Sequence, residues 1–487
     1  MPNKNATTTE SNVRRVALVI LLYLVTSVQA MSPIDDPDVW WRFRTGQWIV
    51  ENHSVPLEDH FSIYAMGKPW IEYSWLFEVF IYVAHALFSL PGVVYSVVGM
   101  ALAITFMAHQ LVRRFALPLW AEVALVAVAM GAIKPLMTPR PWLFTIGLFS
   151  LELLIIDRVR ESGKSQLLWT LPFVFALWAN LHIQFVYGLA VLGLLSLEAP
   201  LAIAFRRAGI EMEAPALAPR PLMLVLLACT TATLLTPYHY LLYKQIFEYI
   251  GQTGAFLNIS ELHPMFFRSL DSWLVLLLTL AAAFISGWRR KWPPFPTLVL
   301  LMAAILAFRS RRDAWVLALA AIWVIGDSAR ALWQGRPFVF TKGQILASAV
   351  AVAVVLFAVS IARQISDANL QAIVEEKFPA RAVNYVKANQ LPGPLFNDYD
   401  WGGFLLWSLP RLPVAIDGRL NLYGDERLER SLNTWQGGPG WNSDPDLRSA
   451  RLVIANKRRM LASLLRSHPR YRIAYEDNVA VVFVAFP

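Results

Sequence analysis

The chain has 487 residues, of which 56% are hydrophobic and 16% charged, with a mean hydropathy of +0.46. Soluble domains carry about 25% charged residues, so this composition excludes an ordinary soluble enzyme and indicates a polytopic membrane protein with a soluble appendage. The net charge of +9 does not mark a nucleic-acid partner, because the basic residues sit in short clusters between apolar runs, as orientation signals do.

Residues 1–13 are polar and are expected to form a disordered cytoplasmic tail. The first apolar run, 14–30, follows Arg14 and Arg15 and reads as a retained anchor, since Val28-Gln29-Ala30 is only a weak cleavage signal. Directly after it comes Asp35-Asp36-Pro37-Asp38-Val39-Trp40-Trp41-Arg42, with three carboxylates in four positions. Acids beside hydrocarbon are costly and tend to mark function. Pro37 suits a first helical position, which makes Asp36 an N-cap and puts Asp38 in the first turn. The helix predicted through Val50 places Trp40, Phe43, Gln47 and Val50 on one stripe, as in a helix lying in the membrane interface. A capped interfacial helix without chemistry and a functional acidic motif are both compatible with this pattern.

The loop from Asn52 to Ser74 holds His53, Glu58, Asp59, His60 and Glu72, at spacings that match no zinc signature. These are expected to be solvated loop residues. Apolar runs then follow at roughly 74–90, 93–111, 118–136, 141–157, 167–180, 183–205, 220–236, 272–288, 295–308, 313–333 and 344–363. A span takes about 20 residues, so about 11–13 transmembrane helices are expected. The single cysteine, Cys229, lies within the 220–236 run and excludes a disulfide framework within one chain. The charge rule places Arg14/Arg15, Arg158/Arg160/Lys164, Arg206/Arg207, Arg289/Arg290/Lys291 and Arg330/Arg336/Lys342 in the cytoplasm. The outer loops are then 31–73 and 237–270, together with shorter ones. Parity fails between 72 and 134, where Arg113 and Arg114 leave eleven or thirteen crossings open.

Two outer segments carry chemistry-bearing residues. The 237–270 loop holds Tyr238, His239, Glu261 and His263. Residues 309–313 place Arg309, Arg311 and Arg312 at the outward end of a run, against the charge rule. Such a cluster needs an anionic partner: a carrier phosphate, which guanidinium binds bidentately, or Asp313 and lipid headgroups. Beyond residue 370 the composition turns polar. Short strands are expected at 394–396, 414–416, 452–455, 471–475 and 479–486. Helices are expected at 372–390, with a break at Pro379, and near 402–409, 424–435 and 456–467. Strands alternating with helices predict a small α/β domain over 370–487, outside the cytoplasm, behind a transmembrane domain of 14–363. No phosphate loop, dinucleotide fingerprint, GxSxG elbow or HExxH is present.

The layout resembles the GT-C-type membrane glycosyltransferases, which include protein O-mannosyltransferases, lipid A aminoarabinose transferases and oligosaccharyltransferases. It is most similar to a bacterial multi-pass group whose first loop reads D-x-D-x-W-W-H-x-x-T-G-x-W-I. That pattern is matched here by Asp36, Asp38, Trp40, Trp41, Thr45, Gly46, Trp48 and Ile49. Val55-Pro56, Asp59, Phe61-Ser62, Trp75-Leu76 and Glu78-Val79 match the group's next segments. The tail motif is matched by Tyr399, Trp401-Gly402-Gly403-Phe404-Leu405, Trp407 and Ile416-Asp417-Gly418-Arg419. Arg42 stands where the group has histidine, and Ile183, after Asn180-Leu181-His182, stands where it has glycine.

The resemblance implies a GT-C-like helical membrane fold and inverting sugar transfer at the outer face. The implied donor is a polyprenyl-phosphate-linked sugar, and the implied acceptor is a hydroxyl on lipid, glycan or protein. Asp36 and then Asp38 are the candidate bases, or the ligands of a divalent cation such as Mg or Mn. Arg309, Arg311 and Arg312 would hold the carrier phosphate. Trp40, Trp41, Arg42, Glu72, His182, Tyr238, His239, Glu261 and His263 would line the cavity. A non-catalytic scaffold and a lipid or solute carrier are the competing classes. The carrier lacks support, since no internal repeat is visible.

Overall fold

The computed structural model describes residues 4–251, 259–289, 291–330 and 339–486; Arg290, Arg336 and part of the 237–270 loop lie outside them. The chain divides into two units. One comprises Met1–Ser32, Val94–His239 and Ile259–Gln364; the other comprises Pro33–Val93, Tyr240–Asn258 and Ile365–Pro487. The last division, at Gln364/Ile365, falls beside the expected boundary, but the first loop, read from the sequence as part of the transmembrane domain, groups with the tail. The physical reason is burial: the loop's apolar and charged groups find their partners in the tail, as described below.

The helices, in chain order, are α1 (Lys4–Ala30), α2 (Asp38–Asn52), α3 (Trp75–Arg113), α4 (Leu119–Ile133), α5 (Trp142–Ser162), α6 (Leu171–Leu181), α7 (Phe185–Arg207), α8 (Pro219–Ala232) and α9 (Leu241–Gly251). They continue as α10 (Leu270–Gly287), α11 (Pro294–Arg309), α12 (Ala314–Arg330) and α13 (Lys342–Ala362). Among the described residues six helices are long and apolar enough to cross a membrane: Asn12–Ala30, Trp75–Arg113, Leu119–Leu136, Phe185–Arg207, Leu270–Gly287 and Lys342–Ala362. Shorter apolar helices cover Ser165–Leu181, Pro219–Ala232 and Pro294–Arg309. The protein is a multi-pass membrane protein. Helix α1 reaches back to Lys4, into the stretch expected to be disordered. No Gly or Pro separates that stretch from the apolar run, so a helix nucleated there propagates toward the N-terminus.

In the first unit α12 is apolar on every side and is buried from Ala314 to Ile325, packed on α4, α10 and α11. Arg114 pairs with Asp157 at 2.6 Å and also with Glu161, which Arg330 approaches at 3.7 Å. The C-terminal ends of α3, α5 and α12 therefore meet at one end of the unit. The opposite end gathers 134–142, 259–268 and 309–313: Arg140 lies 3.5 Å from Glu261, and the Arg311 N–H donates to the His263 carbonyl at 3.0 Å. Arg114 thus lies at the same end as the 158–164 cluster. The 74–90 and 93–111 runs form one helix, α3, broken at Phe88 and Ser89, with Pro91 just inside its second part. Proline lacks the donor and clashes with the preceding turn, which accounts for the break. The first part belongs to the second unit.

The second unit holds α2 and the tail. Its remaining elements are α14 (Asp367–Lys377), α15 (Ala380–Ala388), β1 (Leu395–Asn397), α16 (Tyr399–Ser408), α17 (Leu420–Trp435), α18 (Pro445–Ser449), β2 (Leu452–Asn456), α19 (Met460–Arg466), β3 (Tyr471–Glu476) and β4 (Ala480–Ala485). The sheet order is β1-β2-β4-β3, parallel between β1 and β2 and antiparallel elsewhere. Its core includes Phe396, Trp435, Leu447, Val453, Leu461, Leu465 and Phe483. Pro379 separates α14 from α15, as the sequence predicts. The expected strand at 414–416 is corrected. Val414 makes a single bridge to Ser62, and the Asn397 side chain bonds both the Ala415 N–H and the Ile416 carbonyl. With those groups occupied, no ladder forms there.

Candidate functional site

Helix α2 begins at Asp38, and the Asp36 carboxylate accepts the Asp38 N–H at 3.0 Å from just upstream. The capping role read from the sequence is present, shifted by one position from the expected helix start. The expected interfacial stripe is corrected. Trp40, Trp41 and Phe43 are buried inside the second unit, while Gln47 and Val50 are not. Trp40 meets Phe404 edge-on at 5.0 Å and Phe378 at 5.5 Å, and Phe43 stacks on His85 at 4.5 Å. These aromatic contacts with Phe378, α16 and the first part of α3 place the rings against protein.

Behind Asp38 the loop carries a buried ionic cluster. Arg42 pairs with Glu78 at 2.5 Å, reaches Ser74 at 3.3 Å and lies over the Trp41 ring at 4.3 Å. Ser74 donates to Glu72 at 2.7 Å. Arg42 and Glu72, expected to line a cavity, are buried in the packed loop, Arg42 against Glu78 and Glu72 linked to it through Ser74. An arginine suits that place because one guanidinium nitrogen, Nη1, serves both Glu78 and Ser74 while the guanidinium lies near the Trp41 ring.

Asp59 and Glu72, expected to be solvated, are buried. Asp59 accepts from Arg419 at 2.6 Å, from the Ser62 N–H at 3.0 Å and from the Ser62 hydroxyl. Arg419 also pairs with Asp417 at 2.6 Å and sits over the Trp70 ring at 4.7 Å. Burial pushes the Asp59 carboxyl up, but Arg419 and the Ser62 hydrogen bonds outweigh it and hold the group below the ordinary carboxylate range. The first-loop and tail motifs are thus one structural element.

In the first unit a cleft of about 80 Å³ is lined by Leu136, Trp142, Glu261, Asp271, Arg311 and Arg312, among others. Trp142 anchors its indole N–H on the Leu136 carbonyl at 2.6 Å. Arg140 and Arg312 both stack on its ring, at 5.1 and 5.5 Å. Three of the expected residues, Arg311, Arg312 and Glu261, therefore come together. Arg140, Trp142 and Asp271 join them without having been singled out, since a Pro-Arg-Pro-Trp stretch in a short loop carries no spacing signal of its own.

The residues lining this cleft do not include Arg309, His182, Tyr238, His239 or His263. Arg309 is exposed. His182, at the C-terminal cap of α6, is fully buried against Thr145 at 2.9 Å, and Tyr238, in the turn between α8 and α9, is buried too. His239 is exposed, and the His263 carbonyl accepts the Arg311 N–H beside the cleft. Among the described residues no three His, Cys, Asp or Glu groups converge as a metal site.

No protein-family model and no curated protein matches the sequence. Solved structures do match. The apo form of the Archaeoglobus fulgidus oligosaccharyltransferase gives a TM-score of 0.52 at 12% identity, covering 91% of this chain and 69% of that one. The fold is GT-C-like. The same oligosaccharyltransferase in complex with zinc and sulfate gives a TM-score of 0.49 at 12% identity, over 90% of this chain and 68% of that one. ArnT from Cupriavidus metallidurans, bound to undecaprenyl phosphate, gives 0.49 at 13% identity, over 98% and 99%. Similarity at this level establishes a fold; function rests on the chemistry of the site.

Proposed function

We propose that this protein is a membrane glycosyltransferase that moves a sugar from a polyprenyl-phosphate carrier to an acceptor hydroxyl, with inversion. The observation that carries this reading is the pair Asp36 and Asp38 at the start of α2, on a GT-C-like fold. In the reaction the acceptor oxygen attacks the anomeric carbon. The bond from that carbon to the phosphate oxygen breaks, and polyprenyl phosphate leaves with the electron pair. Asp36 takes the acceptor's proton and Asp38 supports the developing charge. A divalent cation held by the same two carboxylates would stabilise the leaving phosphate. The test is sugar transfer by the purified protein in lipid vesicles, from polyprenyl-phosphate-linked donors to lipid and peptide acceptors. Absence of transfer from every donor tried would favour a scaffold.

The arginine cleft supports an anionic carrier, because Arg311 and Arg312 are half-buried beside an apolar wall of Leu136, Met265 and Trp142. Arg311→Lys is expected to weaken binding of a polyprenyl phosphate about tenfold, whereas Arg289→Lys changes it little. Both substitutions keep the charge, so the difference measures bidentate geometry. Arg289 serves as the reference because Glu213 and Asp327 already hold it, at 2.5 and 2.6 Å. Equal effects in a vesicle binding assay would assign the arginines to headgroup contact.

We place the protein in the cell (inner) membrane with the tail outside the cytoplasm, on the charge asymmetry. A reporter fused after Pro487 is expected to be active only outside, and one inserted at Gly163 only inside. A cytoplasmic C-terminus would overturn this orientation.

A further inference from the structure

Two motifs separated by hundreds of residues meet inside the second unit. Gly418, in the tail, lies directly against Asp38, in the first loop. A Cβ added to Gly418 would overlap the Asp38 Oδ1, and would come within 3.0 Å of the Asp38 Cγ and 3.1 Å of the Trp41 Nε1. Gly403 is similar: its Cβ would come 2.8 Å from the Pro37 carbonyl oxygen and 3.3 Å from the Trp41 Cδ1. A Cβ on Gly402 would meet Asp417 Cα at 2.7 Å. Gly418 and Gly403 thus remove the side chains that would hold the tail off the first loop, and Gly402 lets the tail's own α16 close on the Asp417 backbone.

The backbone on either side of Gly418 is fixed. The Arg419 N–H and Nε both donate to the Asp417 Oδ1 at 2.9 Å, and the Tyr423 hydroxyl donates to the Asp417 Oδ2 at 2.8 Å. Arg419 is in turn held by Asp59. Asn397 fixes the Ile416 carbonyl at 2.8 Å. With that backbone locked, a methyl group at position 418 is accommodated by moving the Asp38 carboxylate.

We infer that Gly418 is a positioning residue for sugar transfer: it sets where the Asp38 carboxylate stands, and this makes the tail domain part of the catalytic machinery. The inference rests on the assignment of Asp36 and Asp38 as the reacting carboxylates. Gly418 touches no substrate and acts through Asp38 alone.

The experiment is a double-mutant cycle on the full chain in vesicles with a polyprenyl-phosphate-linked sugar donor. It compares wild type, G418A, D38N and G418A/D38N. G418A is expected to lower kcat about 10–100-fold with KM unchanged, the scale of a misplacement of about 1 Å. In the D38N background, adding G418A is expected to change kcat less than about twofold, because the group it displaces no longer acts. A purely structural role would instead multiply the D38N loss by the full G418A factor, which overturns the inference. G418A at the wild-type rate, with D38N impaired, overturns the positioning role and leaves the catalytic assignment standing. D38N at the wild-type rate overturns the role of Asp38 and this inference with it. If G418A does not accumulate, D38A/G418A decides the matter. Shortening residue 38 removes the overlapping oxygen, so folding should return to the D38A level. Failure to return would mean that Gly418 serves the backbone and not Asp38.

Discussion

Asp36→Asn is expected to cut sugar transfer by about 10²–10⁴-fold, the range for losing an acid–base group, with the amount of folded protein unchanged. The structural role of Asp36 is to accept the Asp38 N–H at 3.0 Å, and an asparagine oxygen accepts that bond equally well. What the amide cannot do is take a proton or bind a cation. Asp38→Asn should fall between Asp36→Asn and wild type, if Asp38 supports charge without taking the proton. The control is Asp35→Asn. Asp35 is exposed and meets only the half-exposed Lys377, at 2.5 Å, a surface pair worth little. Asp59 is unsuitable as a control although it lies in the same loop, because its carboxylate is locked under Arg419. The measurement is transfer per mole of folded protein. Wild-type rates in both Asp36→Asn and Asp38→Asn would end the catalytic reading and leave a capped helix on a scaffold.

Arg419→Met is expected to destabilise the second unit by about 3–5 kcal/mol, the cost of breaking a buried ion pair from one side. The substitution fills similar volume but leaves Asp59 and Asp417, both fully buried, facing each other without the guanidinium between them. Asp59→Asn should cost less, about 1.5–3 kcal/mol: Asp417 still neutralises Arg419, and the amide nitrogen loses the two hydrogen bonds of the oxygen it replaces, either those from Arg419 and the Phe61 N–H or those from Ser62. Thermal unfolding of the detergent-solubilised protein, followed by tryptophan fluorescence, reads both effects. The pH dependence has a definite sign. Asp59 titrates below its unfolded value, so its contribution is complete above about pH 4 and fades as pH falls through the lower folded value. Wild type should therefore lose stability on acidification in that window, and Asp59→Asn should lose less. A steeper acid loss in Asp59→Asn than in wild type would refute the assigned linkage.

The sequence by itself determined the membrane class, the run of apolar helices and the α/β character of the tail. Those features follow from local quantities. Composition decides solvent preference, a continuous apolar stretch decides a helix in lipid, and alternating short strands and helices decide a layered domain. The break at Pro379 and the strands 452–456 and 480–485 were legible for the same reason, since each depends on neighbours in the chain. The acidic motif was visible as a cluster that is costly beside hydrocarbon, and the outward arginines as an exception to the charge rule.

Only the tertiary structure decided what those residues touch. Trp40 and Trp41 look the same in sequence whether they face lipid or a protein core, and their burial depends on α16, which lies some 360 residues later. Asp59 looked like a solvated loop acid because its partner, Arg419, is equally remote. The run 74–90 has the apolarity of a span and yet belongs with the tail, since its packing partners and not its own hydropathy fix its place. Trp142 and Arg140 became recognisable once the fold brought them to Arg312. Chain-local energies set which elements form. The long-range pairing of buried charges and the close approach allowed by missing side chains set which of those elements share a site, and a linear pattern carries neither distance.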